Sequence, residues 1–287
     1  MLNKILVPTD FSEEANNAFD VAVQLARQTG ASIKALHIIE PPHTTSFSAL
    51  GTYVAAPALD DAYFVQLVDQ SRNRMGELIG RGEYGDVSLD HEVAVDRVIN
   101  KIRRVVEEER FDLVVMGSQG VHGIDEMLIG SNTEKVVRLA SCPVLTVKQK
   151  HEKFEVRNIL FPTDFEEDLG PVVERAKEAQ RLFGAQLHLL RVNTPGNFGS
   201  SRNLRERMLA FAEGHQLQDY TINVWNDESE EDGVLHFAQQ HNMDLIMMVT
   251  HGRTGLRRLL SGSITEGLVN HSPKPVLTFS LKAMGRA

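Results

Sequence analysis

The sequence predicts two tandem α/β domains, each with a parallel sheet covered by helices on both faces, and three observations carry that prediction. First, the chain repeats itself. Lys4-Ile5-Leu6-Val7-Pro8-Thr9-Asp10-Phe11 returns as Asn158-Ile159-Leu160-Phe161-Pro162-Thr163-Asp164-Phe165, and Gly130-Ser131-Asn132-Thr133-Glu134 returns as Gly262-Ser263-Ile264-Thr265-Glu266. Second, in each copy short Val/Ile/Leu runs alternate with longer stretches whose apolar residues fall at helical spacing. Third, those short runs are apolar throughout, as strands are when both faces of a parallel sheet are buried. At 287 residues the chain has room for two such cores, expected over 1–150 and 151–287 with 151–156 as a short polar junction.

In the first copy, residues 5–7 are predicted as a strand and 12–29 as a helix with Ala15, Ala18, Ala22, Leu25 and Ala26 on one face. Gly30 stops that helix, because a left-handed backbone costs glycine little. Residues 32–39 give the next strand, about 60–79 a helix, and 87–93 a strand. Asp96 is expected as the N-cap of a helix carrying Val98, Ile99, Ile102, Val105 and Val106. A buried strand at 113–116, a glycine turn, a helix around 133–139 and a strand at 144–147 complete the copy. The second copy repeats the order. A strand ends before Asp164, a helix over about 167–183 is stopped by Gly184, and a strand follows at 187–192. Then come a helix at 202–215, a strand at 221–225, a helix near 233–240, and strands at 245–249 and 275–279.

Asp10 and Asp164 lie 154 positions apart, Gly120 and Gly252 only 132, so the first copy holds 22 extra residues between its motifs. The stretch 41–59, rich in Pro, Thr, Ser, Ala and Gly, accounts for most of them. It is either a lid or partner-binding segment or a tolerated surface insertion.

A formal net charge of −9 weighs against nucleic acid and anionic membrane as partners. Cys142 is the only cysteine, so no intrachain disulfide forms, and its apolar setting reads as packing. The chain opens on a strand ended by Pro8 and not on a signal pattern, and no apolar run nears the roughly 20 residues that span a bilayer. A cytoplasmic location is expected.

Ligands of parallel sheets bind at the carboxyl ends of strands, where strand order reverses. Asp10, Ile38 and the run Met116-Gly117-Ser118-Gln119-Gly120 should meet there, with Gly130-Ser131 opening a helix. Glycines admit a close phosphate and a positive φ, and a helix start favours an anion. The same residues also serve as tight turns and a helix cap. No Walker loop, nucleophile elbow, His-Glu-x-x-His or kinase loop is present. Of the eleven histidines, His188 reads as an ordinary strand residue, and His37 and His251 alone lie near the strand ends.

Gly117-x2-Gly120-x9-Gly130-Ser131, the paired Pro-Thr-Asp-Phe openings and the closing Cys142-Pro143-Val144-Leu145 and Lys274-Pro275-Val276-Leu277 resemble the universal stress protein family, in a tandem form. The resemblance spans nearly the whole chain. It implies doubly wound, five-stranded parallel domains that are Rossmann-like and similar to the adenine nucleotide alpha hydrolases. It implies ATP, with adenosine at Pro8, Thr9, Asp10 and Ile38, and ribose and phosphates at Met116, Gly117, Gly120, Gly130, Ser131 and Asn132. A magnesium ion would accompany the triphosphate, held mainly by phosphates and water. The resemblance also implies pairing of the two domains through their last strands, 144–147 against 275–279, and admits a dimer of whole chains.

The second copy offers Asp164, Val192, Gly252, Gly262 and Ser263, but Val249 stands where the first has Gly117. A valine resists positive φ and fills space. Arg253, Arg257 and Arg258 favour an anion there, whereas the first copy has Asp125 and Glu126. Backbone geometry outweighs a screened charge, so the first domain is expected to be the ATP site. A nucleotide-dependent regulatory module is the expected function, with a slow ATPase or a ligand-free interaction scaffold as alternatives.

Overall fold

The computed structural model describes residues 2–41, 45–47, 53–55, 61–118, 130–165, 170–250 and 262–280. The first domain runs β1 (Lys4–Pro8), α1 (Glu13–Thr29), β2 (Ser32–Ile39), β3 (Thr45–Phe47), β4 (Tyr53–Ala55), α2 (Asp61–Ile79), β5 (Leu89–Val95), α3 (Val98–Glu109), β6 (Leu113–Gly117), α4 (Ser131–Leu139) and β7 (Val144–Val147). The second runs β8 (Asn158–Pro162), α5 (Gly170–Phe183), β9 (Gln186–Asn193), α6 (Ser201–Gly214), β10 (Tyr220–Asn226), α7 (Glu230–Gln240), β11 (Leu245–Thr250), α8 (Gly262–His271) and β12 (Val276–Ser280).

Each domain is a doubly wound five-stranded parallel sheet, in the order β5-β2-β1-β6-β7 and, in the second copy, β10-β9-β8-β11-β12. One face is filled by α1, α2, α5 and α6 through residues such as Phe19, Met75, Val172 and Met208. The other is filled by α3, α4, α7 and α8 through Ile102, Val136, Phe237 and Leu268. Strand order reverses beside β1 and β8, because each has its second strand on one side and its fourth on the other.

The two sheets join into one of ten strands. β12 lies antiparallel to β7, with Leu277 opposite Leu145, so two apolar edges cover each other. Threonines cross the seam in both directions. Thr146 donates to the Val276 carbonyl and Thr278 to the Val144 carbonyl, each at 3.2 Å. The junction is fastened to α1, where Gln24 accepts from Phe154 N at 2.6 Å and donates to the His151 carbonyl at 3.1 Å.

Local chemistry explains the helix limits. Ser12 Oγ accepts from Ala15 N at 3.2 Å to start α1, and Gly30, at φ 77°, ends it by donating to the Ala26 carbonyl. Gly184, at φ 63°, takes the same conformation after α5. The expected cap of α3 is corrected. Arg97 holds the N-cap position and contributes no side-chain bond, while Asp96 accepts from Arg97 N and pairs with Arg104. The amide of Val98 is met instead by Glu40 Oε1 at 2.9 Å, reaching over from beyond β2. Within the stretch 41–59, β3 and β4 form an antiparallel ladder, Thr45 opposite Ala55. Among the described residues, no helix is long and apolar enough to cross a membrane.

Candidate functional site

The end of β1 turns sharply under local control. Thr9 N donates to the Leu36 carbonyl at 2.9 Å, which ties the turn to β2. Thr9 Oγ1 accepts from Phe11 N and Asp10 Oδ1 from Ser12 N, each at 3.0 Å, the side-chain turns that Thr and Asp favour. Phe11 takes a left-handed φ of 64°. His37 Nδ1 meets the Thr9 carbonyl at 2.8 Å. Burial pushes the His37 pKa below its ordinary value and Arg74 adds to that, while the Thr9 carbonyl and Asp10 pull the other way. Facing an oxygen that only accepts, Nδ1 of the neutral ring carries the proton.

The opposite wall comes from β6 and α4. Met116 and Ile38 pack on the α3–α4 face, Gly130 N donates to the Ser118 carbonyl at 2.9 Å, and Thr133 Oγ1 donates to the Gly117 carbonyl at 3.0 Å. These bonds bring the first turn of α4 to the end of β6. No side chain at Gly130 caps the helix, and Ser131 and Asn132 are exposed. Ser118 Oγ is buried without a hydrogen-bond partner among the described residues. A helix start without a side-chain cap among the described residues, beside that hydroxyl, fits an oxyanion. Pro8, Thr9, Asp10, Ile38, Met116, Gly117, Gly130, Ser131 and Asn132 therefore gather around the reversal point. Gly120 lies outside the described residues, as do Asp125 and Glu126. Among the described residues no group of three His, Cys, Asp or Glu side chains is arranged to hold a metal.

Gly117 does not need glycine for the positive φ expected of it, and it has a further reason to be glycine. Its φ is not positive. A Cβ there would stand 2.9 Å from the Glu14 carbonyl carbon and 3.0 Å from Ala15 N. Glycine thus lets the start of α1 seat on the strand end, and the strain argument against Val249 falls. The equivalence of the two positions holds, since Thr265 donates to the Val249 carbonyl as Thr133 does to that of Gly117.

The second copy rebuilds the turn. Thr163 N donates to the Leu190 carbonyl, Thr163 Oγ1 accepts from Phe165 N at 3.3 Å, and Phe165 has φ 58°. Its surroundings differ. Asp164 and Val192 are each 4% exposed, whereas Asp10 and Ile38 keep partial exposure. The cause at Val192 is Gly233 of α7, where a Cβ would come within 2.5 Å of Val192 Cγ1. Its counterpart in α3 is Lys101, which holds Glu92. At the position of His37 stands Arg191, 3% exposed, with Nε buried and without a hydrogen-bond partner among the described residues. Gly262 opens α8, Ser263 follows within it, and Gly252, Arg253, Arg257, Arg258 and His251 lie outside the described residues.

His188 is the ordinary strand residue expected, bonded to Asn158 and Thr221. Burial raises the Cys142 thiol to about 12, as suits packing. Arg74, Arg191 and Gly233 went unnoticed in the sequence, and Ser118 stood only as a member of the run 116–120. A charge set inside the apolar run Leu189-Leu190-Arg191-Val192 was the one signal that pointed to any of them.

The universal stress protein family model matches residues 1–148 and again 155–280. The universal stress protein Slr1230 of Synechocystis is 20% identical over 298 residues, covering 97% of this chain and all of its own. The universal stress protein MJ0531 of Methanocaldococcus jannaschii is 27% identical over 149 residues, 52% of this chain and 84% of its own. A solved universal stress protein from Archaeoglobus fulgidus shares the fold at a TM-score of 0.68 and 20% identity, over 98% of this chain and 99% of that one.

Proposed function

The chain belongs to the universal stress protein family, in a form carrying two domains, and on that premise we propose that it is an ATP-binding regulatory protein whose nucleotide sits in the first domain. One observation supports the choice of domain. Asp10 and Ile38 remain partly open to solvent beside an uncapped α4, whereas Asp164 and Val192 are covered. Adenosine lies against Pro8, Thr9, Asp10 and Ile38. Ribose and phosphates lie along Met116, Gly117, Gly120, Gly130, Ser131 and Asn132, and magnesium is carried by the phosphates and water. The protein works in the cytoplasm, and ATP sets its conformation or assembly.

The test is to purify the chain without added nucleotide, denature it and chromatograph what is released, then to titrate it with ATP. About one ATP per chain is expected from the single open site, with Asp10→Ala weakening the affinity to a lower but still measurable level and Asp164→Ala leaving it intact. Dependence on Asp164, or two equal sites, overturns the choice of domain. Rapid conversion to ADP makes the protein an ATPase, and no uptake at all makes it a scaffold.

A further inference from the structure

Beside the turn that carries Asp10, three side chains stack on the α1–α2 face of the sheet. The His37 ring lies 4.5 Å from the Phe11 ring, centroid to centroid. The Arg74 guanidinium, from α2, lies 4.5 Å from the centroid of the same Phe11 ring and donates to the Phe11 carbonyl at 3.4 Å. His37 holds the Thr9 carbonyl at 2.8 Å. The carbonyls on either side of Asp10 are therefore both taken, one by each outer member of the stack. Between them the chain keeps a left-handed Phe11, a conformation that persists for a non-glycine residue only where the surroundings over-determine it.

We infer that His37, assisted by Arg74, is a positioning residue for the ligand of the first domain, packing against the turn at 9–11 so that the Asp10 carboxylate stays presented at the site. The inference rests on the nucleotide reading above. The second domain supplies the contrast. There Arg191 replaces His37, the Phe165 ring packs on Phe211 at 5.1 Å, and Arg207 reaches the carbonyls of Asp164 and Phe165, at 3.4 and 3.3 Å. The turn survives, yet its aspartate is buried. Backbone shape is thus kept without this stack. The feature found only with the stack is an aspartate open to a ligand.

Calorimetric titration of the full chain with ATP tests this, using His37→Leu, His37→Asn, Asp10→Ala and the double variant His37→Leu/Asp10→Ala. His37→Leu removes the donor and should weaken ATP about tenfold with Asp10 present, but less than about twofold in the Asp10→Ala chain, because a residue acting through another loses its effect with it. His37→Asn returns an N–H near the place of Nδ1 and should recover most of the affinity. Thermal midpoints measured alongside separate this from general loosening. Equal losses in both backgrounds overturn the inference, as does full affinity in His37→Leu. Should His37→Leu fail to fold, Arg74→Ala, on an exposed helix face, reads the same coupling, with a loss of about threefold expected only when Asp10 is present. A wild-type chain that takes up no ATP defeats the nucleotide reading and this inference with it. A wild type that binds while the variants add independently defeats the inference alone.

Discussion

At the carboxyl end of its second strand the first domain carries His37 and Ile38, and the second carries Arg191 and Val192. The strands around these pairs superimpose in order and register, so the contrast isolates what side chains do on a fixed frame. In the first domain a small neutral ring secures the turn and Ile38 stays partly open. In the second, a glycine on α7 lets that helix settle onto Val192 and cover it. A duplicated domain can therefore keep every strand and still bury the residue near the end of its second strand, through one missing side chain on a covering helix.

The largest way to break the contrast is Gly117→Val, which copies the second domain into the first. The new side chain meets the backbone of α1 at Glu14 and Ala15, and overpacking against backbone should cost about 3 kcal/mol of stability. Denaturant midpoints measure it, and an unchanged midpoint means that α1 is not seated on β6 as described. A smaller and opposite effect is expected at Arg191. Its Nε, buried with no partner among the described residues, opposes folding, so Arg191→Met, which keeps the stem, should add about 1 kcal/mol. A fall in thermal midpoint would show that Arg191 satisfies a partner of real value.

The smallest effect is on pH. His37 has a folded-state pKa below its ordinary 6.5, first because of burial, so the unfolded chain protonates first and the first domain loses stability as pH falls from 6.5 through the folded value. The exposed His236 goes the other way. Its hydrogen bond to Asp227 raises its pKa above 6.5, so its contribution is complete below 6.5 and is lost as pH rises through the folded value. His188, in the second domain, follows the sign of His37. NMR titration of the ring protons should place the His37 midpoint below that of His236, and the reverse order would sink the assignment.

The fold was legible because strands and helices are local patterns and the chain prints them twice. The seam was legible once the family resemblance supplied the pairing, since two apolar last strands need cover. The cap of α3 was not, because Glu40 reaches Val98 across 58 positions while Asp96 sits next door and mimics a cap. The positive φ expected at Gly117 is absent: a glycine does not announce whether it yields room to a ligand, a positive φ or another helix. Gly233 and Arg191 escaped because their meaning depends on a neighbouring helix's distance, which no spacing in the sequence encodes. The ladder between 45 and 55 escaped because its two strands are three residues each.

The antiparallel meeting of β7 and β12 has one more consequence. Joined by a junction of ten residues between Val147 and Asn158, the two edges face each other at a local concentration on the order of millimolar. Their association is then independent of how much protein a cell holds, and dilution leaves it intact. It also always unites one half of each kind. An aspartate hidden in the second half costs the assembly nothing at the joint, and each half is free to drift in sequence while its complement stays guaranteed.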